Sequence, residues 1–493
     1  MTVHAPPPET ATATTATPVV GTHLPPEPTS VESDLARAHA IAGLVLLLGA
    51  AAFGIMVATK FTAPQFLGDR AALTWGRLRF AHTQGILYAW LMNGFFAFAY
   101  YAVPTLSGRP VLSRALGWWL FWIWNVGVVL LGWVMVLSGT SQSVEWGEFP
   151  IVVDVITLGA FLGFVAQFLA PYLRRPRAGL YVASWYYALA LTFTPVAFVI
   201  GQFVPEYFAP GAIGAILSGL WIHDAVGLLV TPMSLAIAYY VIPAVTGRPI
   251  FSHFMSLTGF WGLVFFYPLN GIHHYVFSPI PMHTQQIAIM ASIFMGLTVI
   301  VLVANLLLSL RGCARLTMSN VALRFVWVGT VFYLLVSLQG SFQAAMPVQE
   351  QIHFTDFVIG HSHLAMAGFA TFIIIGGILH AWPRIAGRPF HARYAHWAFW
   401  VATIALVTMV GDLTIVGMQQ AGMWISGASW IDSVVASRSA WMIRTVSGTF
   451  LAVAFVLLLV ALLRRPGAED TEEAPAGAVT SEPVAARGAV VSA

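Results

Sequence analysis

Twelve apolar runs, separated by short stretches rich in arginine, glycine, proline or acidic residues, organise this chain. They lie at about 36–60, 80–105, 114–138, 151–173, 183–204, 213–245, 254–274, 285–310, 324–347, 356–386, 396–420 and 440–465. Each is near or above the roughly 20 residues that a helix needs to cross a bilayer, and the longer ones can tilt or project from it. The pattern predicts an all-α polytopic membrane protein, with twelve transmembrane helices in one domain over 35–465. Residues 1–34 are rich in Pro, Thr and Ala and lack a charged segment followed by an apolar core, so they read as a disordered tail and not a signal peptide. Residues 466–493, rich in Ala, Glu and Pro, read as a second tail. No internal repeat is evident, and no soluble domain is inserted.

Composition agrees with that solvent. The chain is 58% hydrophobic and only 8% charged, with a mean hydropathy of +0.80, whereas soluble domains carry about 25% charged residues. Membrane lipid is therefore an expected partner. A single cysteine, Cys313, excludes an internal disulfide or a cluster of thiolates, so any metal must be held by nitrogen or oxygen. The formal charge of +3 is too small to indicate nucleic acid, and no nucleic-acid partner is expected.

Charge placement is more informative. Connections after the even-numbered spans carry Arg109, Arg114, Arg174, Arg175, Arg177, Arg248, Arg311, Arg315, Arg324, Arg384, Arg388 and Arg393, while Glu145, Glu148, Glu206 and Glu350 fall on the other side. The positive-inside rule then makes both termini cytoplasmic, in what reads as a bacterial inner membrane. The first outer connection departs from the rule with Lys60, Arg70, Arg77 and Arg79, which invites pairing with anionic groups.

With this topology six histidines share one depth near the outer face: His82, His223, His273, His274, His361 and His363. Imidazole within a membrane is a functional candidate because leaving it unpaired is expensive. His361 and His363 are two residues apart, about 200° around a helix, and cannot bind one mononuclear metal. They should serve two centres, as two flat haems on opposite sides of the tenth span would need. His82 can close the second axial position of one haem, leaving the other open. His223, His273 and His274 remain as a three-nitrogen site that suits copper better than magnesium or calcium.

The stretches RLRFAHT (77–83), HDAVG (223–227), FWGLVFFYPLNGIHH (260–274) and HFTDFVIGHSHLAMAG (353–368) make the chain resemble the haem-copper oxidase superfamily. Tyr267, six residues and about 9 Å before His273, points to the C-type, or cbb-type, catalytic subunit. In that type a tyrosine on the seventh helix is covalently joined to the copper-ligating histidine of the sixth, here His223; A- and B-types carry it four residues after that histidine, where this chain has Gly227. The resemblance implies the oxidase bundle, His82 and His363 on a low-spin haem, His361 on a high-spin haem, and copper on His223, His273 and His274. It further implies two haems, b-type by family. Arg79, His353 and Asp356 would lie near haem propionates. Thr231, Tyr239, Tyr240, Ser256 and Thr258 resemble parts of the family's proton-input path, although each is equally readable as a satisfied helix hydroxyl.

The implied activity is respiratory reduction of dioxygen to water coupled to proton translocation. Membrane-anchored cytochrome c subunits or another electron-donor subunit would supply the electrons, because no Cys-x-x-Cys-His motif is present. One departure stands out: Gln339 occupies the place of a ninth-span glutamate in C-type oxidases, altering the expected proton supply. Asp224, beside His223, is an acid that can stand in for it. A divergent nitric oxide reductase is the alternative, disfavoured by Tyr267; a histidine-bearing secondary transporter is the remote one, since helix interruptions and repeats of the transporter kind are not seen.

Overall fold

The computed structural model describes residues 24–174 and 179–465; most of the first expected tail and all of the second lie outside these residues. Among the described residues the fold is helical without strands. Twelve long helices follow in order: α1 Ser33–Thr62, α2 Trp75–Ser107, α3 Arg114–Ser138, α4 Ile151–Leu173, α5 Val182–Tyr207, α6 Gly211–Thr246, α7 His253–Asn270, α8 Met282–Ser309, α9 Val321–Ala344, α10 Asp356–Ala386, α11 Ala392–Ile425 and α12 Trp430–Leu463. Eleven of them are long and apolar enough to cross a membrane. The exception is α7, which spends its 18 residues partly on His253, Trp261, Tyr267, Pro268 and Asn270, so the expected count of twelve spans is met by helices but not by apolarity.

Burial sorts the bundle into layers. In the apolar windows of α2, α6 and α10 the buried share is 94%, 94% and 83%, against 33–44% for α1, α4, α8, α11 and α12. Inner helices exchange lipid for protein and so tolerate polar groups, which is why α2, the least apolar of the eleven, is also among the most buried. The histidine-bearing even helices are thus the innermost ones.

These three helices also reveal a repeat missed in the sequence. Each ends in Gly-Arg-Pro, with Gly108, Gly247 and Gly387 at φ +64°, +64° and +63°, the left-handed cap that glycine adopts without strain. Each contains a π-helical segment ending 17 residues before that glycine: Gly85–Leu91, Ala225–Val230 and Leu364–Ala370. His82 and His361 both stand 26 residues before their glycine, and His223 and His363 both stand 24. In two of the three the arginine after the glycine ties neighbouring helix ends together. Arg248 donates to the Arg311 carbonyl (3.0 Å), just beyond α8, and Arg388 donates to the carbonyls of Leu462, Leu463 and Arg464 at the end of α12.

Candidate metal centres

After Asn270 the chain leaves α7 through a 3-10 turn, Gly271–Tyr275, which brings the rings of His273 and His274 to 4.6 Å between centroids. This turn lies directly on α6. A Cβ on Gly271 would stand 2.1 Å from the Gly219 carbonyl oxygen, so only glycine permits the approach. His223, one turn beyond Gly219, completes the group: its ring lies 4.6 Å from His273 and 5.4 Å from His274, and one ligand nitrogen from each of the three falls within 4.8 Å of the others. Ser292 gives its hydroxyl proton to the Ala288 carbonyl (2.7 Å), so His273 Nδ1–H donates to Ser292 Oγ (2.5 Å) and Nε2 is left as ligand atom.

On α10 the two histidines separate. His363 faces His82, with ring centroids 6.4 Å apart and planes inclined by 23°. Two imidazoles bound on opposite sides of one metal, each nitrogen about 2.0–2.1 Å from it, have centroids about 6.3 Å apart. His82 Nδ1–H donates to Ala50 O and His363 Nδ1–H to Ile359 O, both at 2.8 Å, which again leaves Nε2 for a metal. His361 Nδ1–H donates to Gln339 Oε1 of α9 (3.3 Å). The two rings of α10 therefore face different neighbours, His363 towards His82 of α2 and His361 towards Gln339 of α9.

Tyr267 lies against α6 at Gly227, where a Cβ would come within 2.3 Å of its ring. Its ring stands 5.4 Å from that of His223, and its hydroxyl donates to Thr231 Oγ1 (3.5 Å). Toward the arginine-rich end, Asn305 Nδ2 donates to Ser256 Oγ (2.9 Å) and Tyr239 OH (3.3 Å). Tyr239 and Ser256 thus meet at the α6–α7–α8 seam on an Asn305 that sequence reading missed, while Thr231 contacts Tyr267; the signal of Asn305 was one amide in the apolar run 297–308. The remaining expected path residues are elsewhere. Thr258 is exposed and donates to the Phe254 carbonyl, Tyr240 turns to Tyr101 and His380, and Gln339 belongs to His361.

The expected propionate-region residues also separate. Asp356 is buried and committed, accepting from Gln420 Nε2 and Trp441 Nε1 (both 2.8 Å) and pairing with Arg444 (3.5 Å). Arg444, unremarked in the sequence, comes from α12 and also lies over the Phe61 ring (5.1 Å). Arg79 stands 4.0 Å from the Glu148 carboxylate, which also accepts from Gln84. Burial outweighs that distant guanidinium and pushes the Glu148 carboxyl up to about 7. His353, after the short helix Met346–Ile352, stacks on Phe354 (3.9 Å). Asp224 is buried, with neither carboxylate oxygen hydrogen-bonded.

Comparison with known proteins agrees with this arrangement. The family model described as Cytochrome C and Quinol oxidase polypeptide I matches residues 34–450. The Cbb3-type cytochrome c oxidase subunit CcoN1 of Stutzerimonas stutzeri is 26% identical over 448 residues, covering 88% of this chain and 94% of the relative. A nitric oxide reductase subunit of the same organism is 24% identical, covering 90% and 97%. A solved heme-copper terminal oxidase dimer shares the fold at a TM-score of 0.72 with 13% identity, over 89% of this chain and 85% of that one. With a family match across most of its length and a bundle of the same architecture, the chain belongs to the cytochrome c and quinol oxidase polypeptide I family, as a haem-copper oxidase subunit I.

Proposed function

We propose that the protein is the catalytic subunit of a C-type terminal oxidase that reduces dioxygen to water. His82 and His363 would hold a low-spin haem, His361 a high-spin haem, and His223, His273 and His274 a copper ion. The donor chemistry fits: four Nδ1 atoms are occupied by hydrogen bonds that free Nε2, and within the three-imidazole group His223 Nδ1 faces His274 Nε2 at 3.2 Å. Bound there, these groups would supply electron transfer, dioxygen binding and its reduction. The observation that carries the oxidase reading is Tyr267, packed on Gly227 in contact with the His223 ring. A phenol at that position can deliver a proton and an electron from its own side chain, and Thr231 accepts from it on the side from which protons would return. The haem substituents would be b-type, both termini cytoplasmic, and electrons would arrive through a partner subunit.

Gln339 supports the same reading over a nitric oxide reductase, because it offers His361 a neutral acceptor and no carboxylate for a second iron. The test is the purified protein. Expected are a reduced-minus-oxidised spectrum with two haem components, one equivalent of copper, dioxygen consumption exceeding nitric oxide consumption, and a peptide pair containing His223 and Tyr267 that is lighter by two hydrogens. Iron in place of copper together with nitric oxide turnover would overturn the oxidase assignment.

A further inference from the structure

The α6–α7–α8 seam opens at the arginine-rich end, between the connection after α6 and the connection after α8. Its last polar groups are Ser252, bonded to Asn305 through both its N–H (2.8 Å) and its carbonyl (2.9 Å), and Ser309, which accepts from the Phe251 N–H (2.8 Å). Arg248 reaches across this opening, and its Nη1 donates to the Arg311 carbonyl just beyond α8 (3.0 Å). Gly312, at φ +78°, then turns the chain into the short helix Ala314–Ser319, which carries Arg315. Arg248, Arg311 and Arg315 are all exposed. From Tyr207 to Gln349 the sequence holds a single acid, Asp224, and that lies beside His223 at the far end of α6. Glu27, Glu32 and Asp34 belong to the start of α1, on the side of α2, α10 and α12, where Asp34 pairs with Arg37 and Arg114. Apolar side chains accompany the arginines: Phe251 and Phe254 are 51% and 76% exposed, and Leu316 and Met318 of the short helix are exposed as well.

Topology accounts for basic residues at this end, but it does not ask for an uncompensated group of them at the opening of a polar seam. Three guanidinium groups without counter-charge raise the energy of any cation entering there. Guanidinium matches phosphate through paired N–H bonds, and exposed rings beside it suit the glycerol and upper acyl region of a lipid. We propose that this opening binds the phosphate of an anionic phospholipid, held by Arg248, Arg311 and Arg315 against Phe251 and Phe254, and that the lipid offsets their charge so that protons can enter the seam. The second half rests on the oxidase reading; the first stands without it.

The test uses the full chain with its haems and copper, in nanodiscs of phosphatidylcholine with or without a minor share of phosphatidylglycerol. Lipid retained on extraction is measured by mass spectrometry, and oxygen consumption is measured with excess soluble reductant. Each arginine beside an anionic headgroup is worth about fivefold in binding, so phosphatidylglycerol should be enriched at least about tenfold over its bulk share. Arg248→Gln with Arg311→Gln and Arg315→Gln should abolish that excess. Oxygen consumption by the unsubstituted chain should fall about threefold or more in phosphatidylcholine alone, whereas the triple variant, with no charge left to offset, should turn over equally in both lipids. Arg109→Gln, at the end of α2, should keep the lipid dependence. Equal retention of the two lipids overturns the site, and so does recovery of turnover in phosphatidylcholine by inorganic phosphate, which would make the occupant a soluble anion. Enrichment only after truncation beyond Arg465, which removes Glu469, Asp470, Glu472 and Glu473, would give the arginines to the chain's own end and likewise overturn it. Enrichment without any effect on oxygen consumption overturns the role in proton entry. A protein without haem absorbance overturns the oxidase reading, and lipid retention then still decides the site.

Discussion

Gly227 leaves just enough room for the ring of Tyr267, since a methyl group there would stand 2.3 Å from Cδ1. Gly227→Ala is expected to displace Tyr267 from His223, destabilise the protein by about 1–3 kcal/mol, and lower oxygen consumption by about a hundredfold; the measurement is oxygen uptake alongside thermal unfolding. Glu148 makes a prediction about pH. Its folded-state carboxyl titrates at about 7 against an ordinary 4.5, so its contribution to stability is complete below about 4.5 and lost as pH rises through 7. Glu148→Gln should flatten the melting temperature between those limits, removing a pH-dependent difference of about 3 kcal/mol. Gln339→Glu should strengthen the acceptor on His361 Nδ1–H and lower the midpoint potential of the haem proposed to sit on that histidine by tens of millivolts, read by spectroelectrochemistry. The histidines proposed as ligands stood out in the sequence because an imidazole in an apolar run has few ordinary reasons to be there. Arg444 and Asn305 were not legible, because their partners Asp356, Ser256 and Tyr239 come from other helices and only packing brings them together.

Helix positions followed from hydropathy, but their limits depended on polar contacts that hydropathy does not register. The last helix begins at Trp430, ten residues before its apolar run, because Ser429 caps it and Ser437 is bonded by Gln420 of α11. A π-helical turn likewise leaves no mark in an apolar sequence. Yet such turns follow His82, His223 and His363 within three residues, widening the backbone next to functional groups as single π turns commonly do. At the seam of α7 and α8, Asn305 holds Ser252, Ser256 and Tyr239 in one cluster. Asn305→Leu should slow proton-coupled turnover by about tenfold or more while leaving the haem spectrum intact, and Asn305→Gln should recover part of it; the loss of the four bonds of one buried amide sets the scale. Unchanged turnover in the leucine variant would remove this seam from the proton path.

Three Gly-Arg-Pro endings, at 108–110, 247–249 and 387–389, stand about 140 residues apart, and each closes an inner helix of the same internal plan. This repeat was present in the sequence but hidden by its spacing: the intervening helices face lipid, where one apolar residue serves as well as another. Of its two histidine positions α10 alone carries both, which is how the proposed function assigns one helix to two centres. Both groups are assembled between helices: the Ala50 carbonyl of α1 fixes His82 and the Ile359 carbonyl of α10 fixes His363, while the three imidazoles meet where the turn after α7 seats against α6 through Gly219 and Gly271. On the copper reading proposed above, the metal site is complete only when that turn has seated, and the assembled bundle can then be filled. Cells grown without copper should accumulate a membrane-inserted apo-form that retains the low-spin haem spectrum and gains oxygen consumption when cuprous ion is supplied, even with protein synthesis blocked.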